Sequence, residues 1–237
     1  MSSPNGQLFA GHYTSFLIMK KLFDAINKGN FETVKTVINR NPALVNCREK
    51  GWRKRDEDES PLRVAIKNCH YDIVCLLIEA GADVNDYTAR DHWYISHQAV
   101  YTSILHCIPK YKLQVGTYED SVKILKYLLE HQMNINLLDE NGVNSFFVGI
   151  NQSHSMMHST SDMFESDLVD KLLWNPQFDV KIAYDGFKEI FSMLLKYGAN
   201  TEIPKYWEEQ SVSWEGYDAK IKWTDNIINL CNKEKDV

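Results

Sequence analysis

Residues 60–85 read SPLRVAIKNCHYDIVCLLIEAGADVN, a helix opener followed by two short amphipathic runs and a small-residue turn, and this pattern recurs along most of the remaining sequence. Self-similarity at a period of about 33 residues means a stack of helix pairs, each unable to bury its apolar face alone and each completing its neighbour's core. A chain of this kind grows by addition of repeats and needs no second core. With 237 residues, 44% of them hydrophobic, it is long enough for one well-buried domain.

Four openers align without gaps: Lys21-Leu22-Phe23-Asp24-Ala25-Ile26, Pro61-Leu62-Arg63-Val64-Ala65-Ile66, Ser103-Ile104-Leu105-His106-Cys107-Ile108 and Ser145-Phe146-Phe147-Val148-Gly149-Ile150. Each ends on a small residue, where two inner helices must approach closely, followed by isoleucine for the core. Four outer helices answer them at i, i+3, i+4 spacing, through Val34, Val37 and Ile38, then Ile73, Val74, Leu77 and Ile78, then Ile124, Leu125, Leu128 and Leu129, then Ile190, Phe191, Leu194 and Leu195. The best exit from an outer helix is Gly81-Ala82-Asp83-Val84-Asn85. Gly198-Ala199-Asn200-Thr201-Glu202 is drifted, Gln132-Met133-Asn134-Ile135-Asn136 lacks the glycine that takes a positive φ cheaply, and the first repeat ends one residue longer at Asn46.

On these residues the chain resembles the ankyrin repeat family, in which a TPLH-like opener starts the inner helix and a VVxxLLxxGAxVN-like segment carries the outer helix and its exit. The resemblance implies an all-α, ankyrin-like solenoid of stacked helix pairs with β-hairpin or loop fingers and a C-terminal capping helix. It also implies a single domain over residues 1–237, with repeats at about 20–46, 60–85, 102–136 and 144–202 and a cap at 203–237. Leu77 and Asp83-Val84-Asn85 further resemble sites at which ankyrin-like proteins are hydroxylated on asparagine, although such an asparagine also serves as a structural hydrogen-bonding group.

The departures from regularity are equally specific. Measured against the 8 residues from Asn136 to Asn144, the finger between Asn46 and Ser60 has 6 extra residues and that between Asn85 and Thr102 has 9. Between inner and outer helices, Ile66 to Ile73 is 7 residues, Ile108 to Ile124 is 16 and Ile150 to Ile190 is 40, an excess of 33 in the last case. An excess of that size admits a degenerate fifth repeat around Leu168-Val169 and Leu172-Leu173. One insertion over 151–183 containing one helix is preferred, because Thr117-Tyr118-Glu119 and Ala183-Tyr184-Asp185 enter their outer helices alike.

The candidate recognition surface is drawn from the fingers. Tyr87, Arg90, His92, Trp93, Tyr94 and Tyr101 concentrate aromatic and hydrogen-bonding groups of the kind that dominates binding hot spots. In the preceding finger Trp52, Arg53 and Arg55 offer an aromatic anchor and two guanidinium groups beside an acidic block that also suits a helix N-terminus. Trp207 and Trp214 exceed what a cap over residues 217–233 requires and form a possible second surface. His154 and His158 share a helix face at i, i+4 spacing, but no glutamate lies in the turn between them and the stretch 151–162 is Ser, Asn and Met rich like a loop. No metal ligand set, cofactor site or catalytic constellation has specific spacing, so neither a metal nor a cofactor is expected.

Net charge is −6, which argues against nucleic acid as partner and favours a basic protein. The start carries no basic leader, Phe16-Leu17-Ile18-Met19 is too short for a signal core, and no stretch approaches the roughly 20 apolar residues a membrane span needs. Five scattered cysteines fit buried thiols in a reducing compartment. The expectation is a non-catalytic, cytoplasmic or host-delivered interaction protein, monomeric when free. It would bind one protein partner through its enlarged fingers, as an immunity-type inhibitor or as an adaptor or effector. The alternative is an enzyme or metal-dependent protein built on 151–183.

Overall fold

The computed structural model describes residues 4–50, 57–107, 115–162, 180–210 and 217–232. Helix pairs follow one another along the chain: α1 (Pro4–Asn27) with α2 (Phe31–Arg40), α3 (Pro61–Lys67) with α4 (Tyr71–Glu79), α5 (Ile95–His106) with α6 (Tyr118–Glu130), and α7 (Ser145–Asp162) with α8 (Val180–Lys196). Each inner helix packs on the next, α1 on α3, α3 on α5 and α5 on α7, and among the outer helices α4 lies beside α2 and α6 beside α4. The mostly helical architecture expected from the repeat pattern is the architecture observed.

Local chemistry starts these helices. Asn30, Ser60 and Thr117 each accept a hydrogen bond from the backbone N–H three residues on, and Pro61 occupies the first turn of α3, where its missing N–H costs nothing. Between the layers a single apolar core runs the length of the stack. The small residues sit where inner helices come closest: Ala25, Ala65 and Ala99 are buried, and a Cβ placed on Gly149 would stand 3.0 Å from Val100 and 3.1 Å from Phe191.

Three expectations are corrected. The inner helix of the third repeat begins at Ile95 rather than near Thr102, so the small–apolar pair facing its neighbours is Ala99-Val100, and Cys107 caps the far end of that helix. The second finger is therefore confined to residues 86–94. It is a short hairpin of β1 (Tyr87–Thr88) and β2 (Trp93–Tyr94), in the register Tyr87 to Tyr94 and Thr88 to Trp93, closed where the Ile95 N–H donates to the Asp86 carbonyl at 2.9 Å. The stretch 151–162, loop-like in composition, continues α7 as helix, and the 24-residue α1 begins well ahead of the repeat boundary near residue 20. Leu168-Val169 and Leu172-Leu173 lie outside the described residues. After the last exit come α9 (Lys205–Gln210) and α10 (Tyr217–Asn232), the latter covering the open end of α7 and α8 with Thr224, Ile227 and Cys231 buried. No helix among the described residues is long and apolar enough to cross a membrane.

The repeats are joined by a ladder of asparagine amides. Asn46 Nδ2 donates to the Gly81 carbonyl at 3.0 Å while its Oδ1 accepts from the Asp83 N–H at 2.9 Å. Asn85 does the same to Gln132 and Asn134 at 3.4 and 2.7 Å, and Asn136 to Gly198 and Asn200 at 2.9 and 2.8 Å. Both ends of the Asn85 amide are thus engaged in joining two repeats. The exit turns that receive these bonds need a left-handed residue, φ 93° at Gly81 and 81° at Gly198, and in the third repeat Gln132 takes φ 67° without the freedom of glycine. Gln132→Gly is expected to raise unfolding free energy by about 0.5–1 kcal/mol in urea titrations, and Gly198→Ala to lower it by a similar amount. Equal stability of the Gln132→Gly variant would show that the turn carries no strain.

Candidate partner-binding site

The second finger is held from beneath by a buried charge network. Arg63, at the third position of α3, has a side chain that is 0% exposed. Its Nε lies 2.6 Å from Glu59, itself 2% exposed, its Nη2 lies 2.5 Å from Asp91, and its Nη1 donates to the Trp93 carbonyl at 2.9 Å. Lys67 adds a bond to the other Glu59 oxygen at 2.9 Å. Burial removes water from these charges, so each must find its partner inside the protein, and the guanidinium fork matches two carboxylates and a carbonyl at once. Arg48 performs the same service between fingers, pairing with Asp86 and donating to the Asp58 and Tyr87 carbonyls at 3.1 and 3.0 Å.

His97 occupies the equivalent third position of α5. It is fully buried, stacks under Trp93 and Tyr94, and donates from Nε2 to the Val143 carbonyl of the third finger at 2.9 Å. At the matching place in α7, Phe147 meets the edge of Trp207 at 5.2 Å between centroids. One position of each inner helix thereby anchors the element that follows, first by an ion network, then by an imidazole, then by an aromatic contact.

On this support the predicted finger residues are presented together. Tyr87 is 37% exposed, its ring 5.0 Å from that of Tyr94, and its hydroxyl lies 3.0 Å from His92 Nδ1, which in turn reaches Glu140 of the third finger at 3.2 Å. Arg90 stands exposed at the tip of the hairpin. Trp93 of the hairpin and Tyr101, which lies on α5 rather than in the finger, are half-buried, 5.3 Å apart, and line a cleft of about 510 Å3. Trp52, Arg53, Arg55 and Trp214 lie outside the described residues.

Trp207, expected on a second surface, is instead 3% exposed: its ring packs on Phe147 and under the Lys220 ammonium, 5.1 Å from the ring centre. Its neighbour Tyr206 is 42% exposed. The two ends that the sequence treats separately meet at the cleft. It is lined by Trp93 and Tyr101, by Asp139 and Asn141 of the third finger, by Asn151 and Gln152 of α7 and by Tyr206 and Lys220 of the C-terminal helices. Lys220 donates to Asn151 Oδ1 at 2.7 Å, and burial pulls its pKa down to about 8.

Sequence reasoning missed Arg63, Lys220 and Tyr206. An arginine inside an otherwise apolar opener was a legible sign for the first; nothing local marks the other two, which reach the cleft only through the path of the cap.

Burial pushes the Cys47 thiol up to about 11 and that of Cys69 to about 12, and raises Cys107 as well, which holds them as inert thiols. His154 packs edge-on against Trp223 of the cap, at 6.3 Å, and the His158 side chain lies outside the described ones. Among the described residues no three His, Cys, Asp or Glu side chains converge as a metal set.

Two outcomes are expected. Glu59→Gln, which leaves Arg63 buried beside a neutral partner, should cost about 3 kcal/mol in urea unfolding, and Glu59→Gln/Arg63→Met should recover most of that loss. An undiminished midpoint in the single variant would remove the network from the anchor role. Burial also holds the pKa values of His97 and His70 below the usual imidazole range, with the bond from His97 to Val143 offsetting only part of the effect. The unfolded chain then takes up protons below about pH 6.5 that the folded chain refuses, so stability should be level above that pH and fall as the solution is acidified. His97→Gln, which keeps a donor for Val143, should flatten part of the fall in urea midpoints between pH 7 and 5.5.

Comparison with known proteins agrees with the geometry. Residues 19–88 match the family model of ankyrin repeats in three copies. The chain is 27% identical over 125 residues, 53% of its length, to the Ankyrin repeat and SAM domain-containing protein 6 of Rattus norvegicus, and equally to that of Mus musculus. The aligned stretch spans 12% of those relatives. Residues 19–88 are thus similar to ankyrin repeats, and the inner and outer helices and the asparagine joints continue the same pattern through the described residues beyond them.

Proposed function

We propose that the chain is a non-catalytic recognition module that binds one protein partner along its finger face, acting by stoichiometric occupation as an inhibitor does. Ankyrin repeats indicate a protein–protein interaction module, and the finer reading rests on one observation: the aromatic second finger and the C-terminal cap line one cleft, which includes the exposed Tyr206, while Tyr87 and Arg90 of the same finger are exposed. Rigid aromatics on an anchored support give large contact area with little rotor entropy to lose on binding, which is what tight one-to-one recognition requires. Net charge of −6 makes a basic protein the better long-range match. An adaptor role differs in needing a second partner at a separate surface.

The purified chain and a Tyr87→Ala/Arg90→Ala/Tyr206→Ala variant, immobilised as baits in lysate of the source, test this reading. The expected result is one protein retained by the parent in near-equal amount and depleted at least tenfold on the variant, with its activity abolished at a 1:1 ratio. Retention unchanged in the variant would move the interaction off this face; a retained partner whose activity persists, together with a second bound protein, would favour an adaptor.

A further inference from the structure

We propose that the cleft between the second finger and the cap receives an extended segment of the partner protein and pairs one acidic side chain of that segment with Lys220. This deepens the binding reading above and rests on it.

The cleft, at about 510 Å3, has the size of a ligand pocket, a range of about 300–1,000 Å3, and so takes a few residues rather than a domain surface. Its walls are chemically unequal. Trp93, Tyr101 and Tyr206 offer flat apolar area for the stem and backbone of a peptide. Among the described lining residues Lys220 is the one cation. It is fixed rather than roaming, because Asn151 Oδ1 holds its Nζ at 2.7 Å and the Trp207 ring lies beneath it. An ammonium held half out of water gains more from a carboxylate than one on an open surface, since part of its desolvation is already met by the fold. Asn151, with its oxygen committed to the ammonium, presents donor hydrogens to the same ligand.

Asp139 across the cleft sets the polarity of the occupant. Its Oδ1 accepts from the backbone N–H groups of Asn141 and Val143 at 2.8 and 2.9 Å, so the carboxylate is locked in its own turn, where its charge disfavours a second acid nearby. The segment that fits carries one Asp or Glu toward the cap and neutral donors toward the third finger.

A random dodecapeptide phage library panned on the full chain tests this. Enriched sequences are then made as fluorescein-labelled peptides and titrated by anisotropy against the parent, Lys220→Met, Lys220→Arg and Tyr206→Ala, with thermal melts to confirm folding. The inference expects one fixed acidic position among the winners. It also expects affinity to fall about 10- to 100-fold for Lys220→Met, to be largely kept by Lys220→Arg, and to fall comparably when the peptide's acid is replaced by its amide on the unaltered protein. Peptides that are sensitive to Tyr206→Ala but lack an acidic position, or carry lysine or arginine there, or ignore Lys220→Met, would overturn the Lys220 pairing and leave the cleft as the binding site. No enrichment, or enrichment indifferent to Tyr206→Ala as well, would overturn both.

Discussion

The side-chain amide that closes each of the first three repeats spans to the exit turn of the next one, donating to one carbonyl and accepting from one N–H, and this joint ties successive repeats together. Asn46, Asn85 and Asn136 make it with closely similar geometry although the spans they bridge grow from 35 to 47 to 62 residues. The inner and outer helices can therefore absorb extra turns between joints without disturbing the register of the fingers. Apolar burial supplies the driving force along the core, but it is non-directional; the paired amide bonds are what set one repeat at a defined height against its neighbour.

Under the fingers the chain replaces the usual neutral contacts with charge. A fully buried arginine shared among Glu59, Asp91 and the Trp93 carbonyl is a poor way to add stability, since apolar residues of the same volume would do as well or better. It ties the hairpin to the stack at two points, because Asp91 and the Trp93 carbonyl both bind the same guanidinium. The aromatic side chains of the second finger inherit that rigidity from Arg63 and His97, two residues that are themselves buried beneath it.

Much of this was legible in the residues themselves. The openers of the first, second and fourth repeats, all four outer helices and the capping helix follow from spacing alone. The third opener was displaced by 8 residues, from Ala99-Val100 to Cys107-Ile108, close to two helical turns, and a small–apolar signature repeats itself along a long helix with almost that period. The finger length breaks the tie: counting the same 8 residues from Asn85 reaches Trp93, one residue before Tyr94 and well short of Thr102. The composition of 151–162 misled for another reason, because serine and asparagine favour loops only where nothing packs on them; here Ser153 and Met156 are buried against the rest of the stack. The cleft was not legible, since it forms between a finger and a cap whose meeting depends on the curvature of all the repeats between them.

That meeting place has a thermodynamic meaning of its own. A stack of repeats holds each unit only through its neighbours, and its terminal units open more readily than its centre. The cleft straddles the last repeat and the cap, with Trp207, Lys220 and Asn151 on both sides of the seam. An occupant bridges that seam as a rivet bridges two plates, so fraying of the C-terminal end and release of the occupant become one coupled equilibrium, and whatever tightens the cap tightens the grip.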